Sequence, residues 1–282
     1  MSILFAMKKP VKKETIVELS DKLFISRKQL RDFCSQNNIP HPQYFASDQF
    51  ANISAWAVKH NIFPMALKTI RNLTDGKLSF ILKGFRELPE FYAQIEEQRK
   101  GLAIIEEYIN SKARLEICCV KGKIKLISQV SLDKCAYLRH AWRAFPIKLP
   151  TTVMSGVKEI ITHFIPLLEK YEKPVRFSFA LSKTGPVLVA INTEGDRLEY
   201  SEEWCKQAGI PNILTSETMV SSDIICKVIY ARNFDKEAFS EDLLKHLCGE
   251  CYKAHKIIGD DVVVLLASKD TEELQKASKF TI

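Results

Sequence analysis

Two β-hairpins in the middle of the chain restrict its fold more than any other feature of the sequence. The first occupies residues 114–131 and turns at Lys121-Gly122-Lys123, and the second occupies 175–191 and turns at SKTG. A short glycine-containing turn between two apolar runs typically joins antiparallel neighbours in a sheet. The sequence therefore predicts a protein built at least partly on antiparallel strands.

Segments with helical spacing of apolar residues lie on both sides of these hairpins. The predicted helices are about 22–36, 48–59, 87–98, 152–171 and 235–255, with a last one from Thr271. Further short strands are predicted at 63–68, 79–82, 102–105, 224–230 and 262–267. Helices interspersed with hairpins give an α+β chain with mostly antiparallel strands.

Composition excludes several other classes of protein. Of 282 residues, 46% are apolar and 27% charged, as in ordinary globular domains, and the net charge is 41 − 34 = +7. No apolar run reaches the roughly 18–20 residues of a membrane span, and MSILFA at the start is too short for a signal-peptide core. We therefore expect a cytoplasmic protein with reduced cysteines and no membrane partner.

A basic cluster, KKPVKK at 8–13, is the densest run of positive charge. Clustered lysines near a terminus usually form a solvated tail, and the chain has neither zinc-finger spacing nor an RNA-recognition aromatic motif. Nucleic acid is therefore not the expected partner, and 1–14 is predicted to be a flexible lead-in. A nucleic-acid binder would show affinity that falls steeply with salt.

Four segments between Leu19 and Asp196 carry the strongest functional signal. They are SDKLFISRKQLRDFCSQNNIPHPQYF, NIFPMALKTI, IIEEYI and FSFALSKTGPVLVAINTEGD, in that order. Together they resemble the opening segment, strand lysine, hinge strand and closing hairpin of the ATP-grasp superfamily, in its carbamoyl-phosphate-synthetase-like and carboxylate–amine ligase branch. The resemblance implies an ATP-grasp-like two-lobe fold with lobes of about 15–108 and 109–197, which together form one domain, 15–197. A small α+β appendage is then expected at 198–282.

The resemblance also implies a nucleotide site for ATP. Lys22 and Lys68 take the positions that contact phosphates, whereas Glu106, Glu107 and Tyr108 take the hinge positions that seat the nucleoside. From the residues alone, Lys68 is more often an ordinary strand-end lysine, and the two glutamates are more often a solvated pair than ligand contacts. The likeness to the family favours the ligand roles.

The closing hairpin departs from the family at its metal site. Members of the family hold Mg²⁺ with two acids and an asparagine, and here the acid positions carry Ser178 and Ala190. Asn192 is retained, and Glu194 stands where an arginine is expected, so Asn192 with Glu194 is the remaining candidate metal set. Two hypotheses stay open: an ATP-dependent ligase that activates a carboxylate as an acyl phosphate, and a non-catalytic descendant that binds a ligand or a protein.

The resemblance leaves one part of the family's structure without a counterpart. Only about twenty residues precede Asp21, too few for the usual N-terminal lobe that helps bind the acyl substrate. A protein partner that supplies this lobe, a substrate held differently and a fragmentary chain are the three alternatives.

Two further clusters of residues attract attention. Arg139, His140 and Arg143 lie in YLRHAWRAFP. In the family that this chain resembles, the equivalent stretch borders the active cleft, and basic groups there suit a carboxylate or phosphate. The alternative is a surface loop anchored by its aromatic residues. His246, Cys248, Cys251 and His255 lie in one predicted helix, where core packing is favoured over a zinc or copper site.

Overall fold

The computed structural model describes residues 23–24, 26–70, 78–98, 102–111, 114–132, 140–193, 201–232, 239–258 and 261–279. Within these ranges the chain forms two sheets, and every strand pairing is antiparallel. Lys22, Arg139 and Glu194 lie outside the described residues. The α+β class with antiparallel sheets that the hairpins predict is confirmed.

The strands and helices are numbered here in chain order. The strands are β1 (Tyr44–Ser47), β2 (Met65–Thr69), β3 (Ser79–Leu82), β4 (Ala103–Glu107), β5 (Arg114–Val120), β6 (Lys123–Leu132), β7 (His140–Phe145), β8 (Val175–Ser182), β9 (Gly185–Asn192), β10 (Ile225–Arg232), β11 (Tyr252–Ile258) and β12 (Asp261–Ser268). The helices are α1 (Arg27–Gln36), α2 (Phe50–His60), α3 (Leu88–Gln98), α4 (Thr151–Thr162), α5 (Ile165–Leu168), α6 (Glu202–Ala208), α7 (Glu241–Cys248) and α8 (Thr271–Ala277).

The small sheet has the strand order β1-β4-β2-β3. Its apolar residues pack against α2 and α3, with Leu67, Phe80 and Ile105 of the sheet meeting Ile53 of α2 and Ile95 of α3. All five positions of β2 are buried, as expected for a strand covered on both sides. A polar side chain on β2 therefore needs a partner inside the protein.

The large sheet has the order β11-β12-β10-β7-β6-β5-β8-β9. Strand β10 pairs with β7 from Cys226 opposite Phe145 to Ile229 opposite Trp142. The strands that follow residue 198 therefore continue the sheet begun by the two hairpins. The division of the chain into two domains at 197/198 remains a prediction. The strands on both sides of that position belong to one hydrogen-bonded sheet.

The two faces of the large sheet differ in chemistry around β5 and β8. One face carries Leu115, Ile117 and Phe177, which pack under α1, α4 and α5 in the largest apolar cluster. On the other face Glu116 lies opposite Ser178 of β8. Directly opposed residues in antiparallel strands point to the same side, so this face collects the polar positions of β5 and β8.

Two parts of the predicted secondary structure are wrong. Of the helix expected at 235–255, the described residues from 239 onward form only one α-helix, α7; Gly249 follows it with a positive φ of 55°, and β11 begins at Tyr252. The helix expected at 152–171 is two, α4 and α5, with Pro166 in the first turn of the second. The surface-loop alternative for YLRHAWRAFP is excluded over residues 140–145, which form β7 inside the large sheet.

None of the helices in the described ranges is long and apolar enough to cross a membrane.

Candidate functional site

Lys68 and Glu106, both predicted to be site residues, form an ion pair in the small sheet. They lie on the paired strands β2 and β4, where Ala66 is directly opposite Glu106. The Lys68 ammonium contacts Glu106 Oε1, and Arg31 Nε of α1 donates to Glu106 Oε2 at 3.0 Å. We call Arg31, Lys68 and Glu106 the small-sheet ion cluster. All three are buried, and they combine two positive charges with one negative.

Arg31 also joins the two sheets. Its Nη1 donates to the carbonyl of Leu188 at 3.2 Å and its Nη2 to that of Val189 at 2.6 Å, both on β9 of the large sheet. One guanidinium therefore holds a carboxylate of the small sheet and two backbone carbonyls of the large sheet. Its planar fork of five donors suits it to this kind of bridge.

Helix α1 is fixed at its N-terminus to the small sheet. Ser26 caps the helix by accepting from the backbone N–H of Gln29. The backbone N–H of Arg27 donates to the carbonyl of Ile70 at 2.8 Å, and Arg27 Nη1 donates to the carbonyl of Thr69. Leu30 of the same helix packs in the apolar cluster beneath the large sheet. The helix that carries Arg31 thus contacts both sheets.

Burial and charge act in opposite directions on the small-sheet ion cluster. Burial alone would raise the pKa of the Glu106 carboxyl, but Arg31 and Lys68 outweigh it and lower that pKa to about 2. Burial lowers the pKa of the Lys68 ammonium to about 8, although Glu106 opposes this shift. Glu106 is therefore ionised throughout the physiological pH range, whereas the pKa of Lys68 lies near the upper end of that range.

The lowered pKa of Glu106 predicts a loss of stability in acid. Because the pKa is about 2 in the folded state against an ordinary value of 4.5, the unfolded state binds more protons between these values. The stabilising contribution is thus complete above 4.5 and is lost as the pH falls towards 2. Urea unfolding over this range should show a shallower pH dependence for Glu106→Gln than for the wild type. Parallel curves for the two proteins would contradict this assignment.

The hinge predicted to seat the nucleoside follows directly after Glu106. The backbone N–H of Glu107 donates to the carbonyl of Gln43, and that of Tyr108 donates to the carbonyl of Pro64 at 3.2 Å. The Arg114 guanidinium lies 4.9 Å from the centre of the Tyr108 ring. These contacts fix the start of the segment that leads from β4 of the small sheet towards β5 of the large one.

A second buried ion cluster lies on the polar face of the large sheet. The Oε2 oxygen of Glu116, on β5, accepts from Arg143 of β7. The same oxygen lies 3.5 Å from Nη1 of Arg176 on β8. The other oxygen of Glu116, Oε1, accepts from the Ser178 hydroxyl at 3.4 Å. We call Glu116, Arg143 and Arg176 the large-sheet ion cluster. Both arginines are completely buried, and Glu116 is 4% exposed.

The register of the closing hairpin places the predicted metal positions beside this cluster. Ser178 lies opposite Ala190, and Arg176 lies opposite Asn192. The Ser178 hydroxyl donates to Glu116, and the side chain of Ala190 has no atom that could bind a metal. Among the residues of strands β5, β6, β7, β8 and β9, Glu116 is the one acidic residue. Because proteins hold Mg²⁺ chiefly through one or two carboxylates and Glu116 already contacts two guanidinium groups, the described residues do not fit a magnesium site.

The structure thus brings the predicted residues together in two groups. Lys68 and Glu106 meet in the small sheet, with Glu107 and Tyr108 next along the chain, whereas Arg143 and Asn192 lie on the large sheet. His140 begins β7. Arg143, expected to receive a carboxylate or phosphate, contacts Glu116. The pairing of Asn192 with Glu194 stays a prediction, since Glu194 lies outside the described residues.

Sequence reasoning missed Arg31, Glu116 and Arg176. Glu116 stands in the apolar run RLEICCV and Arg176 in VRFSFALS. A lone charge inside an apolar strand signals a buried partner elsewhere, because burying a charge without one is costly. Arg31 gives no such signal, since it lies among polar residues of a short amphipathic helix.

The cysteine and histidine set does not form a metal site. Cys248 and Cys251 are buried among apolar residues of the cluster around β12. His255 lies on β11, where its Nδ1 is 2.7 Å from the Tyr252 hydroxyl. No group of three or more His, Cys, Asp or Glu suited to a metal ion occurs in the part of the chain that the structure describes.

Comparison with known proteins gives structural relatives only. No protein-family model matches the chain, and no curated protein matches it in sequence. Among solved structures, the L-amino acid ligase of Bacillus licheniformis superimposes with a TM-score of 0.70 at 13% identity, covering 91% of this chain and 70% of that one.

Two other solved structures give the same result. An N5-carboxyaminoimidazole synthetase from Staphylococcus aureus, complexed with ADP, has a TM-score of 0.70 at 11% identity, covering 90% of this chain and 70% of that one. A phosphoribosylamine–glycine ligase from Thermotoga maritima has a TM-score of 0.63 at 16% identity, covering 92% of this chain and 75% of that one.

These likenesses establish the fold. The chain has the ATP-grasp fold of the carboxylate–amine ligases, as the four sequence segments predict.

Proposed function

We propose that this protein binds a nucleotide, ATP by preference, between its small and large sheets. The observation that carries the proposal is the small-sheet ion cluster, where Lys68 and Arg31 accumulate buried positive charge beside the hinge. A lysine on a rigid strand offers a fixed point charge suited to phosphate, and the Arg31 guanidinium, which is held by Glu106 and β9, adds to the positive potential there. The nucleoside would lie along Glu107 and Tyr108, with Lys22 as a further phosphate contact.

The roles of the chain's own residues follow from this arrangement. Arg31 holds β9 against the small sheet and so fixes the spacing of the two cleft walls. Glu106 keeps Lys68 and Arg31 in place and offsets part of their charge, which leaves the cluster with a net positive charge for the phosphates. A bound nucleotide would supply a phosphoryl group, and the positive charges of Lys68 and Arg31 would stabilise the negative charge of that group.

Between the two earlier hypotheses, we favour binding without ligase chemistry. Ser178 and Ala190 lack the carboxylates with which the family holds its metal, and the nearest carboxylate, Glu116, contacts two arginines. The alternative remains an acyl-phosphate ligase whose substrates are a carboxylate and an amine. A protein partner that completes the cleft is compatible with either function.

Replacement of Lys68 by Met should weaken the binding of a non-hydrolysable ATP analogue by about 10- to 150-fold. This is the effect of losing one charged hydrogen bond to phosphate, roughly 1.5–3 kcal/mol. Methionine retains the apolar stem of the side chain, and isothermal titration calorimetry measures the dissociation constant.

Lys59→Met is the matched control, because Lys59 is exposed on α2 of the same lobe. Its affinity should equal that of the wild type. An unchanged affinity in Lys68→Met, with the fold verified by circular dichroism, would contradict the proposed site. Wild-type protein that gives no heat with the analogue would contradict nucleotide binding altogether.

A further inference from the structure

We propose that a pocket beside β6 of the large sheet binds a small amphiphilic carboxylate, a molecule with an apolar chain and one carboxylate end. The pocket has a volume of about 290 Å³. We call it the β6 pocket, and its large apolar side chains are those of Ile127, Ile147, Leu149, Met154, Met219 and Val220. Among the described residues that line it, none belongs to the small-sheet ion cluster or to the hinge. It is therefore a site separate from the proposed nucleotide site.

The β6 pocket exists because two segments of the chain separate beside β6. Strand β7 ends at Phe145, and the chain then leads to α4, with the backbone N–H of Ile147 donating to the carbonyl of Ile127 at 3.1 Å. Two residues earlier on β6, the carbonyl of Lys125 accepts instead from the backbone N–H of Val220 at 2.8 Å, in the segment before β10. The pocket is lined by both of these segments and thus lies where one replaces the other beside β6.

The walls of the β6 pocket combine fixed and adaptable apolar groups. Ile127 and Val220 are 3% and 4% exposed, and Ile147 and Met154 pack against the largest apolar cluster. Met219, in contrast, is 41% exposed, so the pocket can be reached from solvent on that side. A bound apolar chain would remove part of the Met219 surface from water, which is favourable. Because methionine side chains are flexible, Met154 and Met219 can adapt to the shape of such a chain.

The polar groups of the β6 pocket determine the charge of its ligand. They belong to Lys148, Ser221 and Ser222, and the described lining contains no acidic residue. Lys148 is exposed, so its ammonium can meet a ligand at the rim. The Ser222 hydroxyl accepts from the backbone N–H of Ile224 at 3.0 Å, and a hydroxyl that accepts one hydrogen bond can still donate its own proton. Apolar walls with a cationic and hydroxyl rim complement an apolar chain that ends in a carboxylate.

The volume of the β6 pocket limits the length of this chain. At roughly 30 Å³ for each non-hydrogen atom, the share of a molecule in liquid water, about 290 Å³ holds about ten such atoms. Octanoate has this size. Butanoate would leave part of the apolar lining uncovered, whereas the chain of dodecanoate would extend beyond the pocket into solvent.

Calorimetric titration of the wild-type protein with butanoate, octanoate and dodecanoate, each below its micellar concentration, tests the proposal. From butanoate to octanoate, the affinity should rise by about fourfold for each added methylene group, and it should rise no further to dodecanoate. An equally steep rise up to dodecanoate would indicate adsorption to exposed apolar surface and would overturn the inference. Absence of heat with octanoate would overturn it as well.

A variant of the exposed wall locates the bound chain. Met219→Glu places a negative charge beside the ligand and removes an apolar contact, so octanoate should bind at least about tenfold more weakly. Leu247→Glu is the matched control, because Leu247 on α7 is 39% exposed and does not line the pocket. Its affinity for octanoate should equal that of the wild type. Equal losses in the two variants would contradict binding at the β6 pocket.

A second variant tests the recognition of the carboxylate. Lys148→Gln should weaken the binding of octanoate by about two- to fivefold, the effect of losing one exposed ion pair, and should leave the binding of the neutral analogue 1-octanol unchanged. Equal losses for the two ligands would contradict the assignment of Lys148 to the carboxylate. Octanoate should also stay bound in the presence of a saturating ATP analogue. Its displacement by the analogue would place it in the nucleotide site and overturn the inference, while leaving nucleotide binding intact.

Discussion

Replacing Glu106 by Gln is expected to destabilise the protein by about 3–5 kcal/mol, the usual cost of removing one partner from a buried ion pair. The Glu106 side chain is 2% exposed, and it balances both Arg31 and Lys68. Glutamine has nearly the same volume, so the loss reports charge rather than packing. Urea unfolding at neutral pH measures the change in the free energy of unfolding.

Glu107→Gln is the matched control, because Glu107 is the next residue on the same strand and is only partly buried. Its effect should stay below about 1 kcal/mol. A loss in Glu106→Gln as small as in this control would mean that solvent reaches the cluster. In a double-mutant cycle with Arg31→Met, the double variant should lose less stability than the sum of the single variants, since the two charges are removed together.

Replacing Phe177 by Ala should also cost about 3–5 kcal/mol, because it opens a cavity in the largest apolar cluster. Phe177 is completely buried, and its ring centre lies 5.3 Å from that of Phe164, which follows α4. Phe177 stands on β8 between Arg176 and Ser178, whose side chains point to the opposite face. Its packing therefore fixes which residues of β8 lie on the polar face of the large sheet.

Phe85→Ala is the control for this prediction, because Phe85 is 40% exposed. Its effect on the free energy of unfolding should stay below about 1 kcal/mol, within the range of surface substitutions. If both phenylalanine variants have equal stability, Phe177 is not part of a close-packed core. Denaturant unfolding followed by tryptophan fluorescence distinguishes the two outcomes.

Much of the local structure was predictable because it depends on neighbouring residues. Strand β3 is found at the predicted residues, and both hairpins turn where the glycine-containing turns indicate. Lys68 and Glu106 were predicted through the likeness to the ATP-grasp superfamily. The structure adds that they pair with each other.

Other features were not predictable, because their cause lies far away in the sequence. Strand β7 carries Arg143 in its centre, and a buried arginine breaks the apolar pattern by which strands are recognised. Its partner Glu116 lies 27 residues earlier on β5. The helix predicted over 235–255 fails after α7, where Gly249 takes a positive φ and β11 pairs with β12. Pairing with a distant strand outweighs local helical spacing there.

The sequence by itself determined the α+β class, the hairpins, the ATP-grasp likeness and the absence of acids at 178 and 190, since each of these is a property of short segments. Only the tertiary structure decided that Arg31 contacts Leu188, 157 positions away, and that Arg143 and Arg176 converge on Glu116. Buried charges are stable only with partners, and the partners are chosen by strand order and register. That order is set by the packing of the whole sheet.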